Sequence, residues 1–206
     1  MPHSSDEHDH SLRKMELNNL KFELNPHTFK NILQQIQSLS LSTNRAIENL
    51  MQILNYMLYD TDRETVTLQQ EVEFMNAYKK MQQSVLPGFV DIIFEQNLSE
   101  DFLQRKGIAP MLTVAFLENA FKHADTDSRN CMIRISLRET GDNEMRYSIE
   151  NSFRTEHAEG KKAGIGYRNL RRRLDLMYPG LYEISTETAD CLHRAILTIT
   201  LPDYES

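Results

Sequence analysis

The chain has 206 residues, 40% hydrophobic and 26% charged, which suits a soluble globular protein of one large domain or two small ones. A net charge of −7 argues against a nucleic-acid surface as its main function. Cys131 and Cys191 stand in no metal-like spacing and fit a reducing, cytoplasmic compartment. No apolar run reaches the ~18 residues of a membrane span, and the N-terminus has no leader pattern. A membrane tie is expected only through segments upstream in a longer protein.

Residues 1–11 read as a disordered polar tail, with His3, His8 and His10 among Ser and Asp. From Leu12 to about residue 85 the pattern is helical, free of Gly and broken only by Pro26. Ala46, Ile47, Leu50, Met51, Leu54, Met57 and Leu58 form an apolar stripe. Thr67 and Gln70 read as a capping box opening a further helix through Val72, Met75 and Tyr78. Helices of this kind need a partner surface, which predicts a homodimeric four-helix bundle.

At Pro87-Gly88 the texture changes, so residues 86–206 read as a second domain. Asp91–Glu95, Tyr182–Thr186 and Ala195–Leu201 read as strands, and Met132–Leu137 and Arg146–Ile149 alternate as strands. Helices are predicted from about Ile108 to Ala124 and from Ile165 to Tyr178. The order predicts an α+β fold, a helical hairpin followed by an α/β sandwich.

Three places carry chemistry. His27 follows Pro26, which kinks a helix. It falls opposite the apolar face of Phe29, Ile32, Leu33 and Ile36, so it is expected to be an exposed imidazole able to act as a nucleophile. The same pattern also suits an ordinary surface histidine. Next, Glu118, Asn119, Lys122 and His123 share an arc of roughly 140° on one helix. Glu118 suits proton acceptance and the Asn119 carbonyl suits a hard cation such as Mg²⁺. Lys122 and His123 suit phosphate. A plain helix end with a Glu118–Lys122 pair is the alternative. Finally, Gly164-Ile165-Gly166 opens a helix whose free amides suit a phosphate. Arg168, Arg171, Arg172 and Arg173 read as its solvated face or as a docking patch.

In this order, Asn25-Pro26-His27 with Asn31, Glu118-Asn119-Ala120 with Lys122-His123, and Gly164-Ile165-Gly166 with Asn169 and Leu174 resemble the sensor histidine kinases of the LytS type, over about Leu20 to Pro202. The resemblance implies a dimerising hairpin joined to an ATP-binding domain of the GHKL (Bergerat) class. It implies that ATP with Mg²⁺ phosphorylates His27, with Glu118 as base and Asn119 on the metal. Asn119, Lys122, His123, Glu150, Asn151, Gly164, Gly166 and Asn169 would line the nucleotide. The phosphoryl group would pass to an aspartate of a response regulator, typically one with a LytTR domain.

The chain departs from the family pattern in places. Thr28 and Lys30 stand where apolar residues are usual. Glu150-Asn151-Ser152-Phe153-Arg154 replaces the Asp-x-Gly-x-Gly box, and Glu150 is expected in place of its aspartate. Arg194-Ala195 replaces a Gly-Thr pair. These departures motivate a second reading, a dimeric scaffold or pseudokinase that binds a regulator or kinase without chemistry. A third reading is a phosphatase acting on the regulator.

Overall fold

A computed structural model describes residues 44–60, 63–126, 128, 130–153, 165–189 and 191–202. The polar tail, the Asn25-Pro26-His27 segment and Gly164 lie outside these residues. Helix α1 (Asn44–Asn55) ends in a π-helical turn, Tyr56–Asp60. Strand β1 (Val66–Thr67) leads into α2 (Leu68–Val85). Then come β2 (Asp91–Asn97), the short helix α3 (Glu100–Leu103), β3 (Lys106–Ile108) and α4 (Val114–His123). The hairpin β4 (Met132–Glu139) and β5 (Glu144–Ser152), helix α5 (Ile165–Met177), and the hairpin β6 (Tyr182–Ala189) and β7 (Leu192–Thr200) complete the chain. The α+β expectation holds, with the five predicted strands forming one mixed sheet.

That sheet has the order β2-β4-β5-β7-β6, in which only β2 and β4 run parallel. Successive side chains alternate between its faces. Ile133, Ile135 and Leu137 of β4, Met145, Tyr147 and Ile149 of β5, and Ala195, Leu197 and Ile199 of β7 are buried beneath the helices. The opposite face carries Arg134, Arg138, Arg146 and Arg194. It is the solvated side of an antiparallel hairpin.

Helix α2 begins where its capping box places it. The Thr67 amide donates to Gln70 Oε1 at 3.0 Å, and the Gln70 amide donates to Thr67 Oγ1 at 3.2 Å. Its apolar face joins the sheet's core rather than standing apart: Phe74, Tyr78 and Phe121 form a run of tilted and edge-on ring contacts between α2 and α4. Strand β1 pairs with β3, Val66 opposite Ile108. So β1 and α2, grouped by sequence with the N-terminal helices, pack with elements beyond Pro87. The predicted stripe divides: Met57 is buried in this core, as is Ile53 outside the stripe, whereas Met51 and Leu58 are exposed.

The helix expected from Ile108 starts instead at Val114. Ile108 ends β3, and Met111 adopts φ 60°, a left-handed conformation that interrupts a right-handed helix.

Candidate nucleotide site

Helix α4 is the element on which the site turns. Its inner side, with Val114, Phe116, Leu117, Ala120 and Phe121, is buried. Phe116 meets Tyr147 of β5 edge-on, ring centroids 5.6 Å apart, and Tyr167 of α5 at 5.9 Å. Asn119, Lys122 and His123 are exposed on the remaining arc, and Glu118 is half-buried with its Oε1 atom inside. The basic residues Lys122 and His123 occupy the last turn, where the helix dipole favours positive charge.

The two flanks of that arc differ. On the Glu118 side stands α2: Tyr78 packs edge-on against Phe121, centroids 5.9 Å apart. Burial, and then the Glu118 carboxylate, push the Tyr78 phenol above its ordinary range, so Tyr78 remains protonated beside Glu118. On the Asn119 side stands α5, brought in by the Phe116–Tyr167 contact. Gly166, next to Tyr167, is half-buried, and a Cβ built on it would meet nothing within 4 Å. Its small size is therefore not demanded by packing among the described residues, which leaves room for a ligand to approach. Asn169 lies one turn further along, also half-buried.

Below α4 runs the end of β5. The Asp125 amide, just past the helix, donates to the Ser152 carbonyl at 3.0 Å, and the Met132 amide donates to Ser152 Oγ at 3.1 Å. Asn151 therefore sits under the polar end of α4. It is 1% exposed and shares the helix-facing side of β5 with Tyr147 and Ile149. Its Nδ2 donates to the Ser152 carbonyl at 3.1 Å. Across the ladder it stands opposite His193 of β7. Thr188 Oγ1 lies 3.0 Å from His193 Nδ1, and burial holds that imidazole below its ordinary pKa.

Glu150, expected at the adenine, points the other way. It lies on the sheet face opposite α4, between Arg134 and Arg194 on the flanking strands. Arg194 Nε donates to its carboxylate at 2.8 Å, with Arg194 Nη2 in closer contact and Arg134 Nη1 at 4.0 Å. The reason is register: one residue along a strand exchanges one face for the other. The structure thus brings Glu118, Asn119, Lys122, His123, Asn151, Gly166 and Asn169 around the ends of α4, β5 and α5, and leaves Glu150 outside. Among the basic residues of α5, Arg168, Arg171 and Arg172 are exposed, but Arg173 is buried.

Sequence reasoning missed Tyr78, Tyr167 and His193. Only the assembled fold places them at the site, since each lies on a separate element. No helix of the described residues is long and apolar enough to cross a membrane. Nor do those residues contain a cluster of three or more His, Cys, Asp or Glu able to hold a metal ion.

A histidine kinase family profile matches residues 15–87. The chain is similar to the sensor protein kinase HptS of Staphylococcus aureus strains USA300 and NCTC 8325, 30% identical over 140 residues. That match covers 66% of this chain and 26% of the relative, so the chain spans about a quarter of the length of the curated relatives it matches. Among solved structures, it resembles the histidine kinase domain of a blue-light activated histidine kinase from Erythrobacter litoralis. That likeness has a TM-score of 0.54 at 12% identity and covers 93% of each chain, and it speaks for the fold. The profile match, the likeness to HptS and the shared fold together support a sensor histidine kinase.

Proposed function

We propose that the chain is the kinase portion of a two-component sensor, similar to the LytS type, which phosphorylates His27 from ATP and passes the group to a response-regulator aspartate. The observation that carries this reading is the single face of α4, with Glu118 on the side flanked by α2 and Asn119 on the side flanked by α5, set over the end of β5. Phosphoryl transfer depends mainly on positioning and charge neutralisation, and a rigid helix supplies both. A ring nitrogen of His27 attacks the γ-phosphorus, the bond to the ADP oxygen breaks, and the ring proton passes to Glu118.

The fit to Mg²⁺ rests on the donor set. An exposed carbonyl at Asn119, with no carboxylate cage among the described residues, suits a cation that keeps its waters and phosphate ligands. When bound, Mg²⁺ would neutralise charge on the β- and γ-phosphates. Lys122, His123 and the helix start at Gly166 face the same phosphates in this reading, and the sequence motif assigns Gly164 to them as well.

At the base, we assign the recognition role to Asn151 instead of Glu150, because Asn151 lies on the α4 side of β5. The carboxamide presents both a donor and an acceptor to a purine edge. We also move the domain boundary from 85/86 to the π-helical turn before β1, since β1 and α2 share the sheet's core. The exposed Met51 and Leu58 support a homodimer through the helices. A cytoplasmic location and a LytTR regulator complete the proposal.

Incubating the purified chain with γ-labelled ATP and Mg²⁺ tests it. Acid-labile label that disappears in His27→Ala is expected; a folded chain that never takes label refutes the kinase reading for this segment. The Arg194–Glu150 pairing, which removes a carboxylate from the base end, favours the scaffold as second reading. Calorimetry decides between them: absent ATP binding selects the scaffold.

A further inference from the structure

Glu71, on α2, is fully buried, and its carboxylate accepts four hydrogen bonds. Tyr56 Oη donates at 2.5 Å, the Met111 amide at 3.0 Å, the Thr113 amide at 2.9 Å and Thr113 Oγ1 at 2.7 Å. Three of these donors stand at the entrance to α4. Thr113 occupies the N-cap position of that helix, yet its side chain makes no capping bond to it. A threonine cap normally accepts from an amide of the first turn and so defines the helix start locally. Here the hydroxyl is turned outward to Glu71, and α2 defines the start instead.

The fourth donor comes from elsewhere. Tyr56 opens the π-helical turn that ends α1, the helical arm before β1. Burial and the Glu71 carboxylate hold its phenol far above its ordinary pKa, so it remains a donor throughout the physiological range. A second thread runs in parallel: Gln70 Nε2 donates to Asp60 Oδ1 at 3.1 Å, at the other end of the same turn. Arg173 of α5 completes the cluster. It is 2% exposed, its Nε and Nη2 find no hydrogen-bond partner among the described residues, and it feels the charge of Glu71.

Buried charge of this kind is a poor way to gain stability, since apolar packing of equal volume is often as good or better. What it does well is hold one geometry, because any shift leaves a desolvated donor or acceptor without its partner. We propose that Glu71 is a positioning residue that ties the orientation of the helical arm, through the Tyr56 hydroxyl, to the start of α4 and hence to Glu118 and Asn119. Thr113 and Glu118 are five residues apart on one rigid helix, about 7.5 Å of rise, so a tilt at the start is delivered to the site. The reaction served rests on the function proposed above; the coupling itself does not.

Tyr56→Phe in the full chain isolates the link. It removes one hydroxyl and keeps the ring, which stacks on Phe74 at 4.9 Å. Without nucleotide, amide hydrogen exchange at Met111, Thr113 and along α4 is expected to speed up at least fivefold, with the β6–β7 hairpin unchanged. With ATP and Mg²⁺, the rate of His27 labelling is expected to change at least fivefold while nucleotide affinity stays within twofold. Thr113→Ser keeps wild-type exchange, and Thr113→Val does not. Unchanged exchange in α4, or an equal rise across every element, overturns the proposal by leaving only a packing role. Local loosening of α4 in a chain that neither binds ATP nor takes label keeps the coupling and refutes the kinase reading.

Discussion

Arg194 and Glu150 face each other across the β5–β7 ladder, and the guanidinium Nε donates to the carboxylate at 2.8 Å. The Glu150 side chain is 9% exposed and that of Arg194 48%, so the pair is half screened by water. Glu150→Ala is therefore expected to cost about 1 kcal/mol in urea unfolding, and to leave nucleotide affinity within twofold. A tenfold loss of affinity would return the carboxylate to the adenine.

Asn151 carries the opposite expectation. Asn151→Ala removes the polar group beneath the end of α4 without touching the ion pair on the other face. ATP affinity by calorimetry is expected to fall at least tenfold, about 1.4 kcal/mol. An unchanged titration would show that β5 does not contact the base.

On α4, neighbouring residues should separate cleanly. Glu118→Gln keeps the shape of the helix face and removes the proton acceptor. Labelling of His27 is expected to drop by roughly 10²–10⁴-fold, with nucleotide affinity within threefold. Asn119→Ala is expected to abolish the gain in affinity that Mg²⁺ confers. Equal losses of binding in both variants would contradict the division of roles.

His193 provides a pH test. Burial lowers its folded pKa below the ordinary imidazole value of 6.5. Between the two values the unfolded chain holds more protons than the folded one, so stability rises with pH there. Acidification through pH 6.5 is expected to destabilise the fold until the folded imidazole itself titrates, and less so in His193→Gln. Superimposable pH profiles for the two proteins would disprove the assignment.

Cys191 sits at φ 63°, just before β7 in the tight turn that joins it to β6. Its carbonyl accepts from the Phe153 amide at 2.9 Å. Glycine adopts this conformation without strain and keeps the carbonyl, so Cys191→Gly is expected to stabilise by about 0.5–1 kcal/mol. Alkylation should distinguish the thiols as well: Cys191 is exposed, while Cys131 is buried with its pKa raised by burial. Modification of Cys131 before unfolding would contradict that burial.

Strands β4 and β5 were legible because their alternation is local, β2, β6 and β7 from their short runs of strand-forming residues, and so was the Thr67–Gln70 capping box. The very short β1 and β3 were not, since each exists only through pairing with the other. The start of α4 was misjudged because an apolar run continues through Ile108 to Leu112 while the backbone turns at Met111. Alternation in β5 was readable, but the parity facing the helices depends on its neighbours, and Glu150 and Asn151 exchanged places accordingly. Arg173 had a readable signal: it shares an arc with Leu170, Leu174 and Met177, so a charge there called for a buried partner. That Glu71 would lie nearby required the fold.

The parallel pairing of β2 with β4 has a bearing on how the molecule assembles. Two parallel neighbours cannot be joined by a tight turn, so residues 98–131 must cross from one end of the sheet to the other. Helix α4 is that crossing. Its docking waits on a ladder between strands distant in sequence, and such contacts close slowly. The three antiparallel ladders have no such delay where hairpins join them. During synthesis or refolding, the helix bearing Glu118 and Asn119 would be among the last parts to settle, after the hairpins that support it.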